Sequence, residues 1–271
     1  MSFIQRIVLL VVIAMLSACS NNPQRSQSII GMDDADKSAA TLYQDARNAL
    51  DRGDYETAIQ KLESLEARFP FGKFAQQAQL DKAYSYYKFE EPETAVAQAD
   101  SFIKLYPRHP RVDYAYYLKG VIRFNQGISA FDEIAKMDPA TRDSGTARQA
   151  FQYFSELLER FPESPYAQDA AQRMAYLRNS IARSELYSAR YYIKMNAYIA
   201  AANRAKYIVE NLYQTPSLPE ALNIMVKAYR KLRLDDLAAD AERVLKTNFP
   251  KHPQTLALND SKLFGLNDTG E

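Results

Sequence analysis

Cysteine, histidine, tryptophan and glycine are scarce in this chain, which has 271 residues with one cysteine, two histidines, no tryptophan and eight glycines. A single cysteine excludes an internal disulfide framework and any site that needs several thiolates. The sequence also lacks a Gly-rich phosphate loop and the G-x-S-x-G and H-E-x-x-H motifs, so it predicts no catalytic site, no metal site and no cofactor. With 34 basic and 33 acidic residues the chain is nearly neutral, which argues against nucleic acid as a partner.

Two groups of potential metal ligands have simpler interpretations. Both histidines, His109 and His252, directly precede a proline, a placement that suits entry into a helix better than metal binding. Asp33, Asp34 and Asp36 lack the glycine and glutamate of a calcium-binding loop, and we expect them to form a solvated acidic patch.

Recurring pairs of an aromatic residue and a proline divide the chain into helix-forming segments. The pairs are Phe69-Pro70, Tyr106-Pro107, Phe161-Pro162 and Phe249-Pro250. Four junctions carry two prolines three residues apart, at Pro107 and Pro110, Pro162 and Pro165, Pro216 and Pro219, and Pro250 and Pro253. The first proline cannot continue the preceding helix, and the second suits the first turn of the next one. Their regular recurrence argues against the alternative of polyproline ligands for an SH3-like partner.

Small residues around these prolines repeat with the spacing of a tetratricopeptide (TPR) unit, a helix-turn-helix repeat of about 34 residues. Ala46 and Ala58 of the first unit have equivalents 37 residues later, at Ala83 and Ala95. The sequence therefore predicts an all-α fold, an α-solenoid of five TPR helix pairs. The expected helices span residues 38–51, 54–69, 73–89, 92–106, 110–125, 146–161, 165–195, 197–213, 217–232 and 234–248.

An insertion at residues 126–145 separates the two helices of the third unit. It contains three apolar residues, Phe131, Ile134 and Met137, in an otherwise polar segment. The insertion either folds back onto the helices or contacts a partner, since long loops are often functional.

The segment after Pro165 has no further proline and no glycine as far as Met195. It predicts either one unusually long helix or two helices separated by a kink near Arg183 and Ser184. A helix of this length would interrupt the regular repeat. We therefore expect N-terminal TPR units 1–3 at residues 38–163, C-terminal TPR units 4–5 at residues 164–250 and a C-terminal tail at residues 251–271.

The start of the chain predicts export and lipid anchoring. Residues 1–18 resemble a lipoprotein signal peptide, with a positive charge at Arg6 and an apolar segment that is shorter than the about 20 residues of a membrane span. Cys19 would then carry the lipid that anchors the protein in the membrane, and the alternative is ordinary cleavage after Ala18. Ser20 in place of an aspartate favours the outer membrane in the lipoprotein sorting rule, and residues 19–37 are expected to be a lipidated flexible tether.

Tyrosine is abundant, with 19 residues, and most of these rings are expected to pack between helices. A dense aromatic cluster follows the first junction and includes Phe71, Phe74, Tyr84 and Tyr87. Tyrosine combines apolar area with a hydrogen-bonding group at little cost in entropy. The sequence therefore predicts that some of these rings line the concave groove of the TPR units and bind peptide.

The segment Arg68-Phe69-Pro70-Phe71-Gly72-Lys73-Phe74 resembles the most distinctive stretch of the BamD (ComL) family of outer-membrane assembly lipoproteins. The resemblance extends through His109-Pro110-x-Val112-Asp113-Tyr114 and Ala147-x-x-Ala150-Phe151 to Asn203-Arg204. It implies a periplasm-facing lipoprotein of the β-barrel assembly machinery, lipid-anchored in the outer membrane.

The resemblance also implies partners. The C-terminal half would dock on a POTRA domain of the barrel subunit BamA, other Bam lipoproteins would attach, and the N-terminal TPR groove would recognise unfolded outer-membrane proteins. Arg204 would contact an acidic residue of BamA, with Tyr198 as an aromatic residue beside it. The alternative for Arg204 is a surface ion pair that contributes less than about 1 kcal/mol.

Two other functions compete with this assignment. The first is a TPR lipoprotein that binds peptidoglycan or a cell-envelope enzyme. The second is DNA uptake, which the family's older competence name suggests, although the near-zero net charge argues against direct contact with DNA.

Overall fold

The computed structural model describes residue 34, residues 36–127 and residues 144–255. These residues form ten α-helices: α1 (Ala39–Asp51), α2 (Tyr55–Arg68), α3 (Lys73–Lys88), α4 (Pro92–Leu105), α5 (Val112–Gly127), α6 (Gly145–Arg160), α7 (Ala167–Lys194), α8 (Tyr198–Asn211), α9 (Leu218–Lys231) and α10 (Asp235–Asn248). Within the described residues there is no β-strand. The predicted all-α fold of TPR helix pairs is confirmed, and each helix end lies within two residues of its expected position.

Several expectations concern residues outside this description. They are the signal peptide, lipidation at Cys19, most of the tether, most of the insertion and the tail beyond residue 255. Among the described helices, none combines the length and the hydropathy needed to cross a membrane.

The chain divides into two compact units, the first ending at Ser85 and the second beginning at Tyr86. This boundary lies inside α3 and differs from the predicted division between residues 163 and 164, which stays a prediction.

The first unit is held together by small and aliphatic side chains from α1, α2 and α3. Leu42 and Ala46 of α1 pack with Leu62 and Leu65 of α2 and with Ala78 of α3, and all five are fully buried. Alanine at the contact positions allows the helix backbones to approach closely. The small residues of the TPR pattern therefore lie where the helices touch.

Asp34 lies against this unit, which corrects the expectation of a solvated acidic patch at this residue. Its side chain is only 1% exposed, and both carboxylate oxygens accept hydrogen bonds from the Lys61 ammonium at 2.9 Å. Lys37 lies 3.1 Å from the same carboxylate, and the Arg68 guanidinium donates to the backbone carbonyls of Asp34 and Lys37. Lys61 and Arg68, which both lie on α2, fix the chain to that helix directly before α1 begins.

In the second unit, helices from α5 to α10 each pack against their neighbours in sequence. The apolar cluster between α7, α8 and α9 is centred on Ile181, Ala189, Ala205 and Ile208, and α6 contributes Phe151 to its edge. Helix α7 is one continuous element of 28 residues, about 42 Å long, and not the two helices of the alternative prediction.

The aromatic–proline junctions share one backbone geometry. Phe69, Tyr106, Phe161 and Phe249 each end a helix with φ between −128° and −135°, and each donates its N–H to the carbonyl four residues earlier. A following proline disfavours helical φ and ψ at the residue before it, which explains why the helices end there. The second prolines are less uniform, since Pro219 lies in the first turn of α9 whereas those before α5 and α7 lie in the preceding turn.

The turns inside four helix pairs also share one geometry. Gly53, Glu90, Asn196 and Arg233 have φ between 54° and 75°, and the residue after each donates its N–H to a carbonyl five residues earlier in the chain. Glycine adopts this left-handed conformation with little strain and asparagine tolerates it, whereas glutamate and arginine are strained there.

Candidate functional site

The aromatic residues predicted to bind peptide have unequal environments in the first unit. Phe71, between α2 and α3, is 90% exposed. Phe74 is half-buried, packs against the first core with its ring centre 5.6 Å from that of Tyr43, and lies 5.0 Å from the Lys73 ammonium. Phe71 is therefore the available ring of this pair, and Phe74 contributes mainly to packing.

Tyr84 belongs to a separate apolar cluster of the first unit, where its ring lies edge-on to that of Tyr55 with centroids 6.4 Å apart. Tyr87 lies in the second unit, and its hydroxyl accepts a hydrogen bond from the Asn125 amide. Within the first unit, Phe74 and Tyr84 therefore belong to separate apolar clusters, and the role of all four predicted residues in binding peptide stays a prediction.

Both histidines occupy the helix-entry position that the sequence predicted. The Nδ1 atom of His109 accepts a hydrogen bond from the Arg111 backbone at 3.1 Å, and that of His252 accepts one from Gln254 at 3.2 Å. Burial and the neighbouring Arg111 lower the pKa of His109. Among the residues that the structure describes, no group of histidine and acidic side chains is arranged to hold a metal ion.

Arg204 lies on α8 and pairs with Glu185 of α7. Its Nη1 atom donates to Glu185 Oε2 at 3.3 Å, and the side chain of Arg204 is 48% exposed whereas that of Glu185 is 4% exposed. The negative charge of Glu185 raises the pKa of Arg204, and a hydrogen bond with Tyr192 acts in the same direction. The guanidinium is therefore held at one edge and open to solvent at the other.

Arg148, near the start of α6, binds the second oxygen of the same carboxylate. Its Nη2 donates to Glu185 Oε1, its Nη1 donates to the Tyr207 hydroxyl at 2.5 Å, and its Nε donates to the Ser144 hydroxyl at 3.2 Å. The guanidinium also lies over the Tyr207 ring, 4.8 Å from its centroid. Two arginines and one carboxylate leave this cluster, which we call the arginine cluster, with one positive charge in excess.

Tyr198 is half-buried at the start of α8, and its hydroxyl donates to Asn196 Oδ1 at 2.7 Å. It precedes Arg204 by six residues, which places the two side chains about 120° apart around the helix axis. The aromatic side chain that affects the pKa of Arg204 is that of Tyr192, and a contact of Tyr198 with a partner stays a prediction.

Glu185, Arg148 and Tyr207 are the members of the cluster that sequence reasoning missed. Glu185 is the only acidic residue between Asp169 and Glu210, and it falls on the buried face of α7, which is otherwise apolar except for Ser180. An acid at a buried helical position requires a cationic partner, so this signal was present in the sequence.

Comparison with known proteins identifies relatives over most of the chain. A family model described as YfiO, outer membrane lipoprotein, matches residues 35–245. The outer membrane protein assembly factor BamD of Neisseria meningitidis serogroup B is 46% identical over 218 residues, which cover 80% of this chain and 82% of that protein. BamD of Vibrio cholerae is 33% identical over 239 residues, which cover 88% of this chain and 96% of that protein.

Among solved structures, that of MamA protein covers 89% of this chain and 100% of its own, with a TM-score of 0.36 and 13% identity. This similarity is too low to support a conclusion.

Proposed function

The chain belongs to the YfiO family of outer membrane lipoproteins, and from this premise we propose that it acts as a scaffold that holds other proteins together. It is a lipoprotein component of the outer-membrane protein assembly machinery, like its relatives of that name, and it is associated with the outer membrane as part of the Bam complex. Paired helices that present side chains to partners suit binding without catalysis.

The arginine cluster is the proposed docking site for the barrel subunit BamA, through an acidic side chain of its POTRA domain. The supporting observation is that the guanidinium of Arg204 is half-exposed and is paired with the buried carboxylate of Glu185. Because the hydrogen bond to Glu185 uses only part of the guanidinium's hydrogen-bonding capacity, donors remain for a carboxylate of a partner. Its planar fork is already oriented, so binding costs less side-chain entropy than for a free arginine.

Co-purification tests this site. The tagged chain extracted in mild detergent is expected to recover the barrel subunit, and Arg204→Glu is expected to reduce that recovery while leaving the helical content unchanged. Lys206→Glu is the matched control, because Lys206 lies on the same helix, is 52% exposed and pairs with one acid, Glu210. Equal recovery with both variants would remove the role assigned to Arg204.

Lipid anchoring and a periplasmic orientation are part of the same proposal. Cys19 is the expected lipid-bearing residue, and the tether would join it to Asp34 on the first unit. Mass analysis of the amino-terminal peptide tests this directly, since acylation adds the mass of the fatty chains to a peptide that begins at Cys19. A free thiol there would contradict the proposed anchor.

The proposed surface for unfolded outer-membrane proteins is the first unit around Phe71, whose ring is 90% exposed. An exposed phenylalanine between two helices provides an apolar anchor for an extended segment of a client. Phe71→Ala is expected to weaken binding of a peptide that carries the carboxy-terminal segment of a barrel protein, measured by fluorescence anisotropy, while recovery of the barrel subunit is unchanged.

A further inference from the structure

Arg148 and Arg204 share one buried carboxylate but hold it differently. Arg148 forms the closer contact with Glu185, and its Nε, Nη1 and Nη2 atoms each donate a hydrogen bond to a different side chain. Arg204 lies 3.3 Å from the other oxygen and is the more exposed of the two arginines, 48% against 34%. Arg148 is therefore a fixed counter-ion of Glu185, and Arg204 is an exchangeable one.

This difference determines the free-energy cost for Arg204 to exchange Glu185 for another carboxylate. A buried carboxylate that loses its only cation is strongly destabilising, because its charge remains in a poorly solvated environment. Since Arg148 stays on Glu185, Arg204 can turn to an outside carboxylate without leaving Glu185 unpaired. The cluster also keeps its excess positive charge, which attracts an acidic side chain.

We infer that Arg148 is a positioning residue for partner binding: by keeping Glu185 paired, it allows Arg204 to exchange Glu185 for an acidic side chain of the partner. This inference rests on the proposed docking role of Arg204. It adds to that role a residue of α6, the helix that begins at Gly145 and whose preceding residue, Ser144, accepts a hydrogen bond from Arg148.

Without Arg148, Glu185 would have Arg204 as its only cation in the cluster and would compete with the partner for it. Arg148→Met is the suitable variant, because methionine retains much of the apolar stem over the Tyr207 ring while it removes the charge and the three hydrogen bonds of the guanidinium. We expect the affinity of the mature chain for the purified POTRA module of the barrel subunit to fall about threefold to tenfold.

The decisive measurement is a double-mutant cycle with Glu185→Gln, which removes the competing carboxylate. In the Glu185→Gln background, Arg148→Met is expected to change the affinity by less than about twofold. Arg148→Lys, which keeps a cation beside Glu185, is expected to retain most of the binding. An equal loss from Arg148→Met in both backgrounds, or no loss in either, would overturn the inference.

Arg173→Met is the matched control. Arg173 also binds a carboxylate, that of Asp169 at 2.6 Å, and also lies over an aromatic ring, 4.7 Å from the centroid of Phe124. Because Arg173 has no contact with Glu185 or Arg204 among its described bonds, its loss is expected to leave the affinity unchanged. Circular dichroism and thermal unfolding of each variant separate a binding defect from a folding defect.

Arg204→Ala separates the docking role of Arg204 from the positioning role of Arg148. If Arg204→Ala leaves the affinity unchanged, the docking role of Arg204 is wrong and the inference about Arg148 is overturned with it. If Arg204→Ala weakens binding and Arg148→Met does not, the docking role stands and the inference about Arg148 alone is overturned.

Discussion

At the scale of single residues, the two most deeply buried carboxylates among the described residues each have two cationic partners. Asp34 is paired with Lys61 and Lys37, and Glu185 is paired with Arg148 and Arg204. Desolvation of a carboxylate is costly, and a second cation compensates for it more fully than one surface ion pair would. One such carboxylate fixes the chain ahead of the first helix, and the other orients the proposed docking arginine.

The Asp34 contact predicts a pH-dependent contribution to stability. Burial pushes the pKa of Asp34 up, but hydrogen bonds from Lys61 and Lys37 outweigh this and hold the pKa below its usual value of 3.8. A lowered pKa in the folded state means that the contribution is complete above the unfolded pKa and is lost as the pH falls through the folded one. Asp34→Asn is expected to destabilise the protein by about 1–3 kcal/mol at pH 7.

Urea unfolding of the mature chain at pH 7 and in acid checks this expectation, since the difference between Asp34→Asn and the parent should shrink in acid. Asp36→Asn is the control, because Asp36 is exposed two residues away. If Asp34→Asn loses the same free energy of unfolding at both pH values, the charge of Asp34 is not the source of the loss.

Neither buried carboxylate was predicted as such from the sequence, and the reason is physical. Each is paired with residues far along the chain, Glu185 with Arg148 at a separation of 37 residues and Asp34 with Lys61 at 27. Composition shows only that charges balance, and local patterns place single charges at the surface. The position of Glu185 on an apolar helix face was the one local signal, and it indicates burial without identifying the partner.

At the scale of elements, helix ends were predicted well because their causes are local. Proline fixes the backbone of the residue before it, and this effect needs no tertiary contact. Inside the helix pairs, glycine marks the left-handed turn in the sequence at Gly53, whereas Glu90 and Arg233 adopt the same conformation without a glycine.

The non-glycine residues in the left-handed conformation mark positions at which a substitution can stabilise the protein. Glu90 has φ of 62° and Arg233 has φ of 60°. Side chains disfavour this region, and glycine avoids that cost although it loses more chain entropy on folding. Glu90→Gly and Arg233→Gly are each expected to stabilise the protein by about 0.5–1 kcal/mol, measured as a higher urea midpoint.

Glu91→Gly is the control for the first of these changes. Glu91 lies in the same turn with φ of −107°, where glycine relieves no strain. Glu91→Gly is expected to lower the urea midpoint. If it raises the midpoint as much as Glu90→Gly does, left-handed strain is not the cause of the stabilisation.

The contact between α5 and α6 depends on Gly120. A Cβ atom added there would overlap the ring of Phe154, which is fully buried. Gly120→Ala is therefore expected to destabilise the protein by about 1–3 kcal/mol through overpacking, visible as a lower thermal midpoint. Gly127→Ala on the same helix meets no atom within 4 Å and is expected to leave stability unchanged or slightly raised. If Gly120→Ala and Gly127→Ala have the same thermal midpoint, α6 is able to move away from α5 at little cost in free energy.

At the scale of the whole molecule, the proposed function depends on two attachments of a helical protein. The first is the proposed lipid at Cys19, joined through the tether to Asp34, and the second is the proposed contact of Arg204 with the barrel subunit. The repeat pattern predicted the helical fold, the signal-peptide pattern predicted the lipid at Cys19, and resemblance to a family indicated the Arg204 contact. Repeats alone would not have identified the partner, because TPR units of many proteins share the same spacing.

The two attachments are expected to retain the protein at the membrane independently. A variant whose first 19 residues are replaced by the cleavable signal peptide of a soluble periplasmic protein lacks the lipid and should remain partly in the membrane fraction through the barrel subunit. Arg204→Glu should remain there through its lipid, since each buried CH₂ contributes about 0.8 kcal/mol. The combined variant should appear in the soluble periplasmic fraction. If it stays with the outer membrane, a third contact holds the protein there, and neither the lipid nor Arg204 accounts for its location.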